Sequence, residues 1–379
     1  MAAPRPGGVA GGWDRPSGDA IMGANVEERH ADPEAERECD MTLLVAGVEG
    51  MDHHDTGPHH PERPARVGAA MAGIAEAGLT ETVVRLPPRR AELAELERVH
   101  GAAYLGALER FCAAGGGDLD PDTPAVPGSW DTARLAAGAG LAAVEALAAG
   151  QGELAFVVCR PPGHHAGANR AMGFCLLNNV AVAAAALTAG GERVMIVDWD
   201  VHHGNGTQDI FWDDPRVLYV STHEAPFYPG TGRLGDTGGP AAPGLTVNVP
   251  LPAGATGDVL RRALDEVAAP VAELFAPHWV LISAGYDAHR DDPLADLELT
   301  SGDYADLART VAAFAPRPDR VVVFLEGGYD LGVLTNSVAA TLAALAGGDA
   351  RPEPASSGGP GGGVVDAARR IHQQLRGDR

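Results

Sequence analysis

The sequence predicts an α/β protein: a single domain on an eight-stranded parallel sheet with helices on both faces. Three observations carry this. Short β-rich apolar runs alternate with longer Ala/Leu-rich amphipathic segments, the pattern of strands covered by crossover helices. No charge break or Pro/Gly linker interrupts the alternation between Met41 and Ala346. Polar residues cluster just after several of the runs, where open α/β sheets bind ligands.

In chain order the predicted strands are 42–47, 82–85, 154–159, 193–198, 217–222, 245–249, 279–283 and 320–325, each a brief run rich in Val, Leu or Ile. Helices are expected at 64–77, 102–113, 130–149, 176–189, 258–274, 301–313 and 331–345, where Ala and Leu recur at helical spacing. Residues 1–40 hold too little aliphatic surface to repay ordering and are expected to be a disordered leader. Residues 347–363 read as a Gly/Pro/Ser-rich linker, and 364–375 as a short amphipathic helix that could dock or dangle.

Composition narrows the function. The chain has 379 residues, 51 acidic against 28 basic, for a formal charge of −23. Such a surface repels a phosphate backbone, so direct nucleic-acid binding is not expected, and cationic substrates are favoured. Every basic residue is arginine, a skew that with abundant Ala and Gly suggests a high-GC bacterial genome. No apolar stretch is long enough for a membrane span. Cys39, Cys112, Cys159 and Cys175 show no C-x-x-C spacing, and the N-terminus shows no signal-peptide core, so a reducing cytoplasm is expected.

Four run ends are unusual: Arg160-Pro-Pro-Gly-His-His165, Asp198-Trp-Asp-Val-His202, Ala284-Gly-Tyr-Asp287 and Glu326-Gly-Gly-Tyr329. At period two in an extended segment, Asp198, Asp200 and His202 would leave one face about 6.6 Å apart. Two of them, with Asp287 from another strand, could hold a borderline divalent ion and leave a position for water. Alone, the motif could equally cap the next helix. Two acids and a His behind an apolar strand favour the metal, because burying them unpaired costs several kcal/mol each.

His164 and His165 follow a rigid Pro-Pro-Gly turn. If a carboxylate such as Asp198 anchors one imidazole, the other is free to act as a base. Tyr329 follows two glycines and could reach a cleft as an oxyanion donor, although a lone Tyr more often packs. His53, His54, His59 and His60 read as a structural loop rather than a second metal site, and core packing is the default for Phe174 and Cys175.

On these residues the sequence resembles the histone deacetylase superfamily, and the class II-like bacterial deacetylases within it. The likeness runs from about Asp52 to Ser337: His54-Asp-Thr-Gly57, His60-Pro-Glu-Arg-Pro64, Arg160 to Ala166, Gly173-Phe-Cys-Leu-Leu-Asn-Asn179, Asp198 to Gly206, Tyr228-Pro-Gly-Thr-Gly232, Ala284 to Ala288 and Leu325 to Asp330. The resemblance implies the arginase/deacetylase fold and a zinc-dependent amide hydrolase, with iron(II) as an alternative metal. Asp200, His202 and Asp287 would hold the metal, His165 would be the general base, His164 its electrostatic partner, and Tyr329 the phenol that polarises the acyl carbonyl. Gly173, Phe174, Tyr228 and Leu294 would line the substrate channel, and Arg66 would lie near the acetate exit. Asp198 and the Ser221 hydroxyl, with carbonyls of Asp200, His202 and Thr222, would form a structural potassium site.

Departures from the family pattern bear on the substrate. Tyr228 stands where many relatives have Phe, and Asn205 where class I members have Asp. Polyamine-selective relatives carry a carboxylate gatekeeper where this chain has Leu294, which favours acetyl-lysine over acetylpolyamine. An arginase-like ureohydrolase would need D-x-H-x-D, and an acyl-lysine-binding scaffold would lack the base, a ligand or the phenol. The expected partner is an acetylated protein or small acylated amine. The sequence does not indicate an oligomeric state.

Overall fold

A computed structural model describes residues 41–377. The expected leader at 1–40 lies outside the described residues. The strands are β1 (Leu43–Ala46), β2 (Val83–Arg85), β3 (Gly117–Asp118), β4 (Pro124–Ala125), β5 (Leu154–Val157), β6 (Val194–Asp198), β7 (Val217–Glu224), β8 (Thr246–Leu251), β9 (Trp279–Ala284) and β10 (Val321–Leu325). The helices are α1 (Ala65–Glu76), α2 (Leu93–Leu96), α3 (Ala102–Ala113), α4 (Ser129–Ala148), α5 (Asn179–Ala189), α6 (Asn205–Phe211), α7 (Gly257–Ala263), α8 (Ala269–Phe275), α9 (Ser301–Ala312), α10 (Leu331–Leu345) and α11 (Gly362–Gly377).

Eight strands form one parallel sheet in the order β2-β1-β5-β10-β9-β6-β7-β8, and β3 and β4 pair as a separate antiparallel ribbon. The order sets the function: the four strands with polar ends, β5, β10, β9 and β6, are adjacent at the centre. Asp198 of β6 lies in register with Ser283 of β9 on one side and Ser221 of β7 on the other.

Alternation along these strands feeds two cores. Met195 and Val197 face one, with residues of α1, α7, α9 and α10; Val194 and Ile196 face the other, with α4 and α5. Gly140 lets α4 approach β10 closely, since a Cβ there would sit 2.6 Å from the Phe324 ring. Asn178 caps α5 by accepting from the Ala181 N–H, so this helix starts three residues later than its composition suggests.

The helix expected at 258–274 is interrupted. A π-helical turn, Leu264–Ala268, separates α7 from α8, just ahead of Pro270, which has no N–H to continue an α-helical ladder. Residues 347–361 lie against α7 and α9 through bonds from Ser356 to Asp303 and from Gly359 to Thr256, and α11 buries Val365, Ala368 and His372. No helix among the described residues is long and apolar enough to cross a membrane.

Phe324 is fully buried at the sheet centre. Phe324→Ala is expected to cost about 3–5 kcal/mol, read as a lower denaturant midpoint with unchanged slope.

Candidate active site

Strand β6 ends at Asp198, so Asp200 and His202 lie in the turn beyond it rather than on an extended segment. The turn achieves convergence differently: the Asp200 Oδ1 accepts from the His202 backbone N–H at 2.9 Å and lies 3.1 Å from its Nδ1. From the turn beyond adjacent β9, the Asp287 Oδ2 comes within 3.2 Å of the same Nδ1. One ligand atom from each of Asp200, His202 and Asp287 lies within 4.8 Å of the others, the spacing of a mononuclear metal site.

Three features fit a cation here. Asp200 and Asp287 are both buried, so two carboxyl groups share a desolvated pocket, and burial together with Asp200 raises the Asp287 pKa. The Asp287 Oδ2 has no aligned hydrogen-bond donor. Gly327 keeps the cradle open, because a Cβ there would reach the carboxylate oxygens of both acids, and its N–H donates to the Asp200 Oδ2 at 2.8 Å. Burial alone would lower the pKa of His202, but the flanking carboxylates outweigh it and push it up to about 10.

The two histidines of the Pro-Pro-Gly turn take different environments. Glu326, at the end of β10, accepts from the backbone N–H groups of Gly163 at 2.7 Å and His164 at 3.2 Å, which fixes the turn. His164 Nδ1 bonds the Asp198 carboxylate at 3.0 Å, and His165 Nδ1 bonds the neutral Asn205 Oδ1 at 2.8 Å. Burial opposes charge on both rings. Asp200 and Asp198 nonetheless raise the His164 pKa well above its usual value, whereas burial together with His164 and His202 drives His165 well below. The rings lie 4.0 Å apart between centroids. A charged imidazole thus stands beside a neutral one whose Nε2 is left to accept a proton.

A cavity of about 220 Å³ opens onto this group, lined by Gly173, Phe174, Tyr228, Leu294, His165, His202 and Tyr329, with Asp122 and Phe227. Phe174 adopts φ 67°, a costly conformation for an aromatic residue, and its ring meets Tyr329 edge-on at 5.7 Å. Burial, with Asp287 nearby, raises the Tyr329 pKa well above 10, so its hydroxyl stays a donor.

Arg66 is not among the lining residues. It is fully buried behind Tyr329, with its guanidinium 5.0 Å from the ring, and donates to the carbonyls of Gly328 and Glu326. Arg66 and Arg160 both bond buried Glu62. His54 bonds Ser129, and His60 bonds carbonyls of Glu62 and Asp122, so both belong to loop structure. Asp198 also accepts from Tyr219, while Ser221 Oγ pairs with His223 Nδ1 at 2.9 Å.

The sequence reading did not identify Asp122, Phe227, Asp292 or the anchoring role of Glu326. Phe227 stacks on His202 at 5.4 Å and adjoins the predicted wall residue Tyr228, a neighbour signal that could have found it. Asp122 follows no apolar run, so strand-end reasoning does not reach it.

Comparison with known proteins agrees with this geometry. The family model for the histone deacetylase domain matches residues 60–345. A probable deacetylase of Archaeoglobus fulgidus is 42% identical over 315 residues, covering 81% of this chain and 88% of its own. The histone deacetylase-like amidohydrolase of Pseudomonas aeruginosa is 38% identical over 291 residues, 76% of this chain and 77% of its own. Chloroplastic histone deacetylase 14 of Arabidopsis thaliana is 37% identical, covering 88% of this chain and 84% of its own. Among solved structures, the HDA15 HD domain superposes with a TM-score of 0.82 at 36% identity, covering 88% of this chain and 96% of that one.

The His202 environment gives a test of the ligand set. In chelator-treated protein at pH 8, below a pKa of about 10, the ring carries a proton, whereas a metal requires it neutral. Metal loading is therefore expected to release about one proton, read by calorimetry in buffers of different ionisation enthalpy. Release should fade as the pH rises past 10. Absence of His202-dependent proton release at pH 8 would remove His202 from the ligand set.

Proposed function

The chain belongs to the histone deacetylase family, and on that premise we propose that it is a zinc-dependent amide hydrolase removing acetyl groups from acetyl-lysine side chains or related acylated amines. One observation carries the reading: a ligand atom from each of buried Asp200, half-buried His202 and buried Asp287 converges within 4.8 Å, and His202 lines the same cavity as His165 and Tyr329.

A divalent ion held by Asp200, His202 and Asp287, zinc or alternatively iron(II), would supply Lewis acidity to water and to the acyl carbonyl. His165 is the base. Its Nδ1 is engaged by Asn205, so Nε2 takes the proton of the attacking water and returns it to the leaving amine. His164, held charged by Asp198, keeps the neighbouring ring neutral at rest. The Tyr329 hydroxyl donates to the oxygen of the carbonyl as it gains charge. Gly173, Phe174, Tyr228 and Leu294 form the acyl-lysine channel, and Arg66 supports Tyr329 from behind. Asp198 and Ser221, in register on adjacent strands, are proposed as side-chain ligands of a structural potassium ion.

Leu294 at the channel mouth supports acetyl-lysine in a protein as the substrate. Acetylpolyamine is the alternative, favoured by Asp122 at the same cavity and by the formal charge of −23. Cys112, Cys159 and Cys175 are free and buried, which supports a reducing, cytoplasmic location.

Tyr329→Phe tests the reading, since it removes one oxyanion donor and leaves the ligand set untouched. The loss is expected to lower kcat about 10²–10³-fold, or about 2.7–4 kcal/mol, with zinc content and Tm near wild type. Turnover of an acetyl-lysine peptide within about threefold of wild type would contradict it. An acetylated polyamine assayed in parallel distinguishes the two substrate classes.

A further inference from the structure

The segment after α10 has the composition of a flexible linker, and it lies beyond the family match, which ends at residue 345. Glu353 within it is nevertheless heavily engaged. Its Oε2 accepts from His289 Nε2 at 2.8 Å, from the Ser301 N–H at 3.2 Å and from Ser301 Oγ at 3.1 Å. Its Oε1 accepts from Arg290 Nη2 at 2.5 Å.

His289 is buried and sits in the turn that follows Asp287. Its Nδ1 accepts from the Asp291 N–H at 3.1 Å, and its carbonyl accepts from the Asp292 N–H at 2.9 Å. Ligand atoms of His289, Asp291 and Glu353 are close enough to suggest a second metal. Both ring nitrogens are already used, one as acceptor and one as donor, so the group is a hydrogen-bonded brace instead.

The far end of the turn reaches the backbone of Tyr329. Asp292 Oδ2 accepts from the Tyr329 N–H at 2.6 Å and the Asp330 N–H at 3.2 Å, and its Oδ1 accepts from the Leu294 N–H at 3.2 Å. One short turn therefore carries a proposed metal ligand at its start, and at its end a carboxylate holding the backbone of Tyr329 and of the channel residue Leu294.

We propose that Glu353 is a positioning residue for the active site: through His289 it fixes the 287–292 turn, and through Asp292 the placement of Tyr329. This rests on the roles proposed above for Asp287 and Tyr329. A segment outside the matched domain thereby sets the geometry of the chemistry.

The full-length Glu353→Gln variant tests this, because its amide turns a donor toward groups that already donate. Ser356→Ala is the control: Ser356 anchors the same segment to Asp303 and Gly257 without touching the turn. Hydrogen exchange at the Leu294, Tyr329 and Asp330 amides should quicken about tenfold or more in Glu353→Gln and stay within about twofold in Ser356→Ala. On an acetyl-lysine peptide kcat should fall about tenfold, with KM within about threefold. Unchanged exchange at these amides in Glu353→Gln overturns the proposal, and so does faster exchange with unchanged kcat. A wild type that does not hydrolyse the peptide would refute the functional reading, while the exchange comparison would still decide whether Glu353 braces the turn.

Discussion

Burying Asp198, Asp200 and Asp287 at neighbouring strand ends is the constraint from which the rest of the site follows. Like charges in a desolvated pocket repel, and each loses the hydration it has in the unfolded chain. The fold answers with His164 against Asp198 and, in the metal-free protein, a protonated His202 between Asp200 and Asp287, while Gly327 keeps a cradle open beside both acids. The answer is incomplete, because Asp287 retains an oxygen without an aligned donor. A divalent ion would take the place of the His202 proton and supply the missing positive charge.

The same constraint separates two chemically identical side chains. His164 and His165 are consecutive and share one turn, yet one pairs with a carboxylate and the other with an amide. Their pKa values are driven in opposite directions, which suits one to stay charged and the other to accept a proton. Glu326 secures this from below by holding the backbone of the turn. Burial raises its pKa to about 7, so its anchoring is purchased with a destabilised carboxylate.

Much of this was legible in the sequence because strand ends are marked by a change from apolar to polar residues. All four polar ends were visible, and the sheet order makes them adjacent. The period-two argument grouped Asp198, Asp200 and His202 on one face of an extended segment without choosing among them; in the fold Asp200 and His202 lie beyond the strand and are brought together by a turn that Asp200 stabilises. Residues outside such runs were not legible. Asp122 and Asp292 lie in loops, and their roles depend on contacts across 51 and 37 residues, through Thr123 to Phe174 and directly to Tyr329. Composition also misrepresented residues 347–361, since counting Gly, Pro and Ser gauges chain entropy and says nothing of the acceptors that Glu353 and Ser356 meet. The π-helical turn before Pro270 follows from a missing N–H that hydrophobic periodicity does not register.

The central claim is that Asp200, His202 and Asp287 form one metal centre on which turnover depends. Metal content and acetyl-lysine hydrolysis measured on the same preparations of wild type and Asp287→Ala test it most directly. The account predicts stoichiometric metal in the wild type, and loss of metal and turnover together in the variant, with the sheet intact by circular dichroism. Full metal occupancy with normal turnover in Asp287→Ala would contradict it.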